Sequence, residues 1–368
     1  MNELVAAPTE EGDARHRRLA HLGYAILRPV LVVGVALLIG MAIIVYTGEN
    51  PFPAYENLLI EPFRTWDTFS AVLFYAIPIV LTGLTAAISF RANVFNLGGE
   101  GQLQLGALAT AWAAVAWSGL PGVVLLPLVI LVGAVGGAAF AAIPGWLRAY
   151  VGATELVSTI MLNYVAIDIA SFAVSPGGPL ASSGSAGVAT AVIPVGAQFP
   201  TIAGSQFHWG FVVDILAVVF AFVLLYRTPL GYEIRMAGHN PNFARLGGVP
   251  VPRVILGAMV IGGALAGIGG AVQVMGFQHQ YTTTFAGPQW GFTGVTVALL
   301  ARLEPIGVLV AAILYALLEE GSQLIANNTN VDSHIITVVQ GLIILFVTVQ
   351  VSLDWRKKLK IRGQASGA

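Results

Sequence analysis

Residues 254–276 read VILGAMVIGGALAGIGGAVQVMG, 23 consecutive positions without a charge and with Gln273 as the one strongly polar side chain. A helix rises about 1.5 Å per residue, so about 20 apolar residues cross a hydrocarbon layer roughly 30 Å thick. This run therefore reads as a spanning helix. Comparable runs lie on both sides of it, at 29–46, 69–90, 102–117, 122–143, 153–175, 209–226, 289–301, 305–326 and 333–353. The fold class expected is an all-α integral membrane protein with about ten transmembrane helices. Two of the ten runs, 102–117 and 289–301, are short. Composition agrees: 57% of the 368 residues are hydrophobic and 10% are charged, against about 25% charged in a soluble domain. The 43 glycines and 19 prolines are tolerated better in lipid-embedded helices than in soluble ones.

The basic residues orient the chain. With the N-terminus inside, the inner segments are 1–28, 91–101, 144–152, 227–253, 302–304 and 354–368. They hold every one of the 17 basic residues except Arg64, which satisfies the positive-inside rule and places both termini in the cytoplasm. The expected domains are a cytoplasmic tail over 1–28, a transmembrane domain over 29–353 and a basic cytoplasmic tail over 354–368. The run after Arg28 is too long for a signal core and lacks a clear cleavage site, so it reads as a retained span. The 47–68 segment, with its acids, and the uncharged 176–208 segment read as outer loops.

Several chemistries are excluded by residue counts. There is no cysteine, hence no disulfide, thiolate metal site or cysteine nucleophile. Lysine occurs only at positions 357, 358 and 360. None follows a glycine-rich turn, so the chain carries no P-loop. No cofactor is expected on this chain. The net charge of −1 argues against nucleic acid as a partner.

Both short runs follow polar, glycine-rich sequence: Asn96-Leu-Gly-Gly-Glu-Gly-Gln102, and Gly287-Pro-Gln-Trp-Gly-Phe-Thr-Gly294. Broken backbone at membrane depth persists only where it is buried in protein or lines a cavity. Interrupted segments at matching places in two halves point to a central pathway. The first follows the second span and the other follows the seventh, which suggests a four-plus-four repeat. Two ordinary short helices are the competing reading.

The longest inner loop, 227–253, reads as a short helix over Tyr232–Ala237, a turn at Gly238–Pro241 and a second helix through Phe243–Leu246, capped by Asn242. Tyr232, Ile234, Met236, Phe243 and Leu246 would be idle in a solvated linker. In a compact knob they are anchors, ringed by Arg235 and Arg245, for a soluble partner. An amphipathic segment lying on lipid headgroups is the alternative.

This loop resembles the coupling loop of ABC importer permeases of the branched-chain amino acid, simple sugar and nucleoside group. Thr228, Gly231, Ile234, Arg235, Gly238, Asn240, Ala244 and Gly248 fall in step with the family pattern. Met236 and Phe243 stand where alanine is usual, and Val249 where isoleucine is. Phe95–Gln102 looks like the family's FNIGxEGQ, Glu155–Tyr164 is close to the ExxSTIMLNY of nucleoside-type permeases, and Gly291–Leu300 looks like GFxGIAVALL. The resemblance covers roughly residues 70–350. It implies a subunit of an ATP-driven importer in the bacterial cytoplasmic membrane, with nucleosides as solutes. It further implies a second, distinct permease subunit, an ATP-binding subunit that uses ATP and Mg, and a periplasmic or lipid-anchored substrate-binding protein. Gly231, Tyr232, Ile234, Arg235, Gly238, Asn240, Ala244 and Arg245 would then dock the ATPase. Asn96, Glu100, Gln102, Thr159, Asn163, Trp290 and Phe292 are the candidate pathway residues.

Glu155, Thr159 and Asn163 are spaced i, i+4, i+8 and share one helical face, which in lipid must look inward. That face either lines a pathway or joins helices by hydrogen bonds. Glu155 is a candidate partner for Arg148 or Arg91. Glu100, between two glycines, is expected to bind backbone N–H groups or Arg91 ahead of contacting solute. Tyr164, Phe285, Trp290 and Phe292 could stack on a base, or anchor the membrane interface as aromatics commonly do. His208, His279 and His334 lack metal-ligand spacing.

Two other classes compete. A self-sufficient ion-coupled transporter would use the intramembrane acids Asp168, Asp214 or Glu319. An intramembrane enzyme would need a nucleophile and base at one depth, and no such pair is found. Within the superfamily, simple sugars and branched-chain amino acids are alternative solutes.

Overall fold

The structure is a computed structural model that describes residues 34–35, 37–46, 48–182, 188–286, 289–329, 331, 335–342 and 344–345. The tails 1–28 and 354–368 lie outside the described residues. The elements are α1 (Leu37–Tyr46), α2 (Pro51–Leu59), α3 (Trp66–Arg91), α4 (Gly99–Ala116), α5 (Gly122–Trp146), α6 (Glu155–Val174), α7 (Gly210–Arg227), α8 (Pro229–His239), α9 (Pro241–Leu246), α10 (Val251–Gln273), α11 (Trp290–Leu300) and α12 (Pro305–Asn328). Among the described residues there is no strand, only two isolated bridges.

Each apolar run of the sequence is helical over most of its described residues, with differences of one or two positions at the ends. Among the described residues six helices are long and apolar enough to cross a membrane: α3, α5, α6, α7, α10 and α12. The protein is therefore a multi-pass helical membrane protein. α11 has 11 residues, about 16 Å of rise, and cannot cross alone. α4 has 18 residues and begins at Gly99, inside the glycine-rich stretch that precedes its apolar run.

The chain divides into two compact units, Leu59–Gly321 and the two ends Met1–Leu58 with Ser322–Ala368. Within the larger unit α10 is central, packed on α3, α4 and α5, with α11 against α3, α6 against α4, and α7 against α3. Lipid tails are as apolar as leucine, so helices associate through close packing of small residues. A Cβ on Gly267 would lie 2.2 Å from the Gly133 carbonyl oxygen, and one on Gly106 would lie 2.3 Å from Gly267 Cα. The backbones of α4, α5 and α10 thus touch where only glycine fits. In the end unit Ile44, Ala54, Leu58, Ile325, Ile336 and Val339 are buried.

The 188–209 segment is irregular but anchored. Its amides at Thr190, Ile193 and Phe199 donate to the carbonyls of Tyr281 (2.9 Å), His279 (2.8 Å) and Met275 (2.9 Å). Phe199 stacks on His208, with ring centroids 6.0 Å apart and planes 7° apart. Burial, reinforced by the nearby His279, pushes the His208 imidazole down to about 4.

Candidate functional site

The two broken segments meet. Chain reversal after α3 brings Asn96 to a position where its Oδ1 accepts from the Gly98 amide (2.9 Å). Asn96 also exchanges amide hydrogen bonds with Gln102 (3.0 and 3.2 Å). From α6, Asn163 accepts from the Gly101 amide (2.8 Å) and donates to the Leu97 carbonyl (2.8 Å). Thr159 donates to the Glu155 carbonyl (2.6 Å).

Glu100 ties this loop to the other half of the chain. One carboxylate oxygen accepts from the Gly291 amide at 2.7 Å, the other from the Gln104 side chain at 2.9 Å. Gln104 in turn accepts from the Tyr281 hydroxyl at 2.8 Å, and Thr82 of α3 donates to the Trp290 carbonyl at 2.9 Å. The first amides of a helix have no partner within it and carry partial positive charge. Glu100 stands in the first turn of α4 and accepts an amide from the first turn of α11, so one carboxylate serves two helix starts. The fit needs glycine at 291, where a Cβ would fall 2.2 Å from the Glu100 nitrogen.

Six of the seven candidate pathway residues, Asn96, Glu100, Gln102, Thr159, Asn163 and Trp290, are buried in this knot, while Phe292 is 40% exposed. Trp290 meets Phe285 edge-on at 5.5 Å. Gln104, Thr82 and Tyr281 belong to the knot without having been singled out in the sequence. Gln104 had one signal, its i+4 spacing from Glu100; Tyr281 had none.

The acids disperse. Glu155 pairs with Arg148 at 3.1 Å. Arg91 pairs instead with Glu304 at 2.5 Å and donates to the Leu303 carbonyl at 3.0 Å. Asp168 is exposed, Glu319 half-buried and Glu320 buried. Asp214 is fully buried with neither oxygen bonded among the described residues, and nothing in the structure explains it. No hydrogen bond or ion pair joins Asp168, Asp214 and Glu319 to one another among the described residues.

The 227–253 loop folds as two helices around a shared corner. Thr228 caps α8 by accepting from the Gly231 amide (3.1 Å), with Pro229 at the first helical position, so α8 starts three residues before the expected Tyr232. It continues to His239, which makes Gly238 and His239 helical where the sequence suggested a turn. Asn240, not Asn242, caps α9. Its side chain accepts from the Asn242 and Phe243 amides (both 3.1 Å), because Pro241 has no N–H to offer and opens the helix in its place.

Gly231, Ile234, Ala237 and Ala244 face the protein and are buried. Tyr232, Phe243 and Leu246 are 54%, 60% and 89% exposed, and Arg245 and Asn240 are also exposed. Gly238 lies against the Arg91 carbonyl. Arg235 turns back over the Tyr226 ring, its guanidinium 5.4 Å from the centroid, rather than ringing the exposed surface with Arg245. Arg91 lies 5.2 Å from the same ring. Met236, one of the two departures from the family's alanines, is half-buried against the core, whereas Phe243 points outward.

The six apolar helices, the hydrogen-bonded helix break and the apolar-tipped knob are the frame on which the comparisons with known proteins bear. The family of the branched-chain amino acid transport system permease component matches residues 68–348, and the chain belongs to that family, the ABC-transporter permeases. It is 34% identical to the glucose ABC transporter permease protein TsgB13 of Haloferax volcanii over 91% of this chain and 90% of the relative. It is 32% identical to the nucleoside ABC transporter permease protein NupB of Lactococcus lactis, covering 89% and 92% of the two chains. It is 30% identical to the guanosine ABC transporter permease protein NupP of Bacillus subtilis, covering 94% and 99%. The last two organisms each carry a second, more distant match with the same solute in its name, NupC and NupQ. No solved structure matches the chain.

Proposed function

We propose that this chain is one half of the translocation pathway of an ATP-driven importer of nucleosides, with about ten spans and both termini in the cytoplasm of a bacterial cell. The observation that carries the reading is the α8–α9 knob, which buries its small residues and leaves Tyr232, Phe243 and Leu246 outward. A monomer gains nothing from such a surface; a docked ATP-binding subunit would cover it. ATP and Mg belong to that subunit. Gly231, Ile234, Arg235, Gly238 and Ala244 shape the knob, and Tyr232, Asn240 and Arg245 meet the partner.

The knob joins the end of α7 to the start of α10, and α10 packs on α3, α4 and α5. A push on the knob is therefore delivered to the helices that hold the knot. Rocking of these helices would move the knot of Asn96, Glu100, Gln102, Thr159, Asn163 and Trp290 as one body, carry α6 with it, and switch the side to which the pathway beside Phe292 opens. A second, distinct permease completes the pathway, and a periplasmic or lipid-anchored binding protein delivers the solute.

Nucleosides are favoured by two relatives whose alignments cover 89% and 94% of this chain and by the Glu155–Tyr164 stretch. The glucose relative, at 34% identity, supports sugars as the second reading. The test is radiolabelled uridine and adenosine uptake in cells lacking this gene and in cells lacking the ATPase gene of the same system. Loss in both is expected. Loss with this gene alone would favour an ion-coupled transporter, and unchanged uptake would move the solute to sugars.

A further inference from the structure

α6 has two unlike faces. Glu155, Thr159, Asn163, Ala166 and Ala170 are buried against the knot side. At about 100° per residue, Asp168 projects from the middle of the opposite face. It is exposed and forms no hydrogen bond or ion pair among the described residues. Tyr164 and Phe172, one turn before and one turn after it, are 63% and 67% exposed.

The outward faces of other spans are apolar: Val124, Leu131 and Val135 on α5, Leu216 and Val219 on α7, Val310 and Leu314 on α12. Those faces suit lipid. α6 does not, because Asp168 lies six residues before its end, about 5 Å from the helix midpoint and well inside the hydrocarbon layer. An ionisable side chain there faces a bundle interior or water, not acyl chains. Within the six spans every Lys or Arg lies in a terminal turn, so these spans offer no cation at the depth of Asp168.

We propose that Asp168, between the rings of Tyr164 and Phe172, faces the aqueous pathway, accepts hydrogen bonds from a neutral polyhydroxylated solute and turns away anionic ones such as nucleotides and sugar phosphates. The rings stack on the flat or C–H face of the solute, and the carboxylate takes its hydroxyl hydrogens. This rests on the permease reading but not on nucleosides as the solute.

The chain has no cysteine, so single-cysteine variants carry one thiol each. In membranes holding the full complex, Asp168→Cys and Tyr164→Cys should react with an impermeant thiosulfonate at least tenfold faster than Val135→Cys and Leu216→Cys. Saturating uridine or glucose should slow that reaction at least threefold. Slowing by glucose and not by uridine would uphold this inference while overturning the nucleoside reading. Labelling no faster than in the controls, or labelling that neither solute slows, would overturn it. Asp168→Asn gives a second check. The complex should still assemble, and uridine monophosphate should compete with uridine uptake at least fivefold better. Loss of the second permease from that complex would instead make Asp168 an interface ion pair and overturn the proposal.

Discussion

The break at Asn96–Gln102 and the knob at Thr228–Gly248 are built from the same materials, glycine, asparagine and a short helix start, yet they finish their chemistry in opposite ways. At the break, Asn96, Glu100, Gln102 and Asn163 bond to one another and to nearby backbone, with almost no exposed surface. At the knob, backbone and caps are equally satisfied, but three large apolar side chains point away from the protein. Depth explains the difference. An unpaired polar group in hydrocarbon costs several kcal/mol, so a break there must close within the chain. Beyond the membrane, exposed apolar surface is tolerable when a partner covers it. A closed break is evidence about the chain itself, and an open knob is evidence about a neighbour.

That contrast can be broken or sharpened by mutation, and the largest effect belongs to the packing beneath both regions. Gly267→Leu would drive a side chain into the Gly133 carbonyl, so no monodisperse protein should survive detergent extraction; normal yield would refute the close-packed account of α4, α5 and α10. Glu100→Ala comes next. It strands the Gly291 amide and the Gln104 side chain, and at about 1–3 kcal/mol for each unpaired buried group it should destabilise the permease by about 2–6 kcal/mol, read as a lowered Tm. Replacing Phe243 and Leu246 by Asp should do the reverse of this, leaving Tm unchanged while ATPase co-purification falls about tenfold or more.

The smallest effect is set by pH. His208 stays neutral in the fold down to about pH 4, whereas an unburied imidazole takes a proton near 6.5. The unfolded state therefore binds more protons between those values. The contribution of neutral His208 to holding the 188–209 segment is fully present above about pH 6.5 and is lost as pH falls towards 4. Between pH 7.5 and 5.5 the loss is on the order of tenfold in the opening equilibrium. Amide exchange at Phe199, corrected for intrinsic rates, should speed up by about that factor, and His208→Gln should reduce the pH dependence, leaving the part due to His279, whose imidazole burial also pushes down.

The positions of the long helices were legible in the sequence, because an uninterrupted apolar run has few alternatives in lipid; α2, inside the 47–68 segment read as a loop, was not. The face shared by Glu155, Thr159 and Asn163 was also legible from its spacing, as all three are buried on one side of α6. The knob's helix ends were legible only in part. Thr228-Pro229 and Asn240-Pro241 are both cap-plus-proline starts, and reading the second from Asn242 moved the cap two residues. What could not be read is the meeting of the two breaks. The Glu100–Gly291 bond joins positions 191 residues apart, and no local periodicity encodes such a pairing. Nor does the sequence alone show that Asp168 and Asp214 differ, one on an exposed face and the other sealed inside.

The most direct test of the whole account is uridine uptake into proteoliposomes holding this chain, its second permease and the ATP-binding subunit, with the binding protein outside and no proton or sodium gradient. Uptake that requires ATP and Mg inside the ATPase-accessible compartment, and that disappears when the ATPase subunit is omitted, is the predicted result. Uridine uptake by this chain alone, driven by an imposed ion gradient and indifferent to ATP, would contradict it.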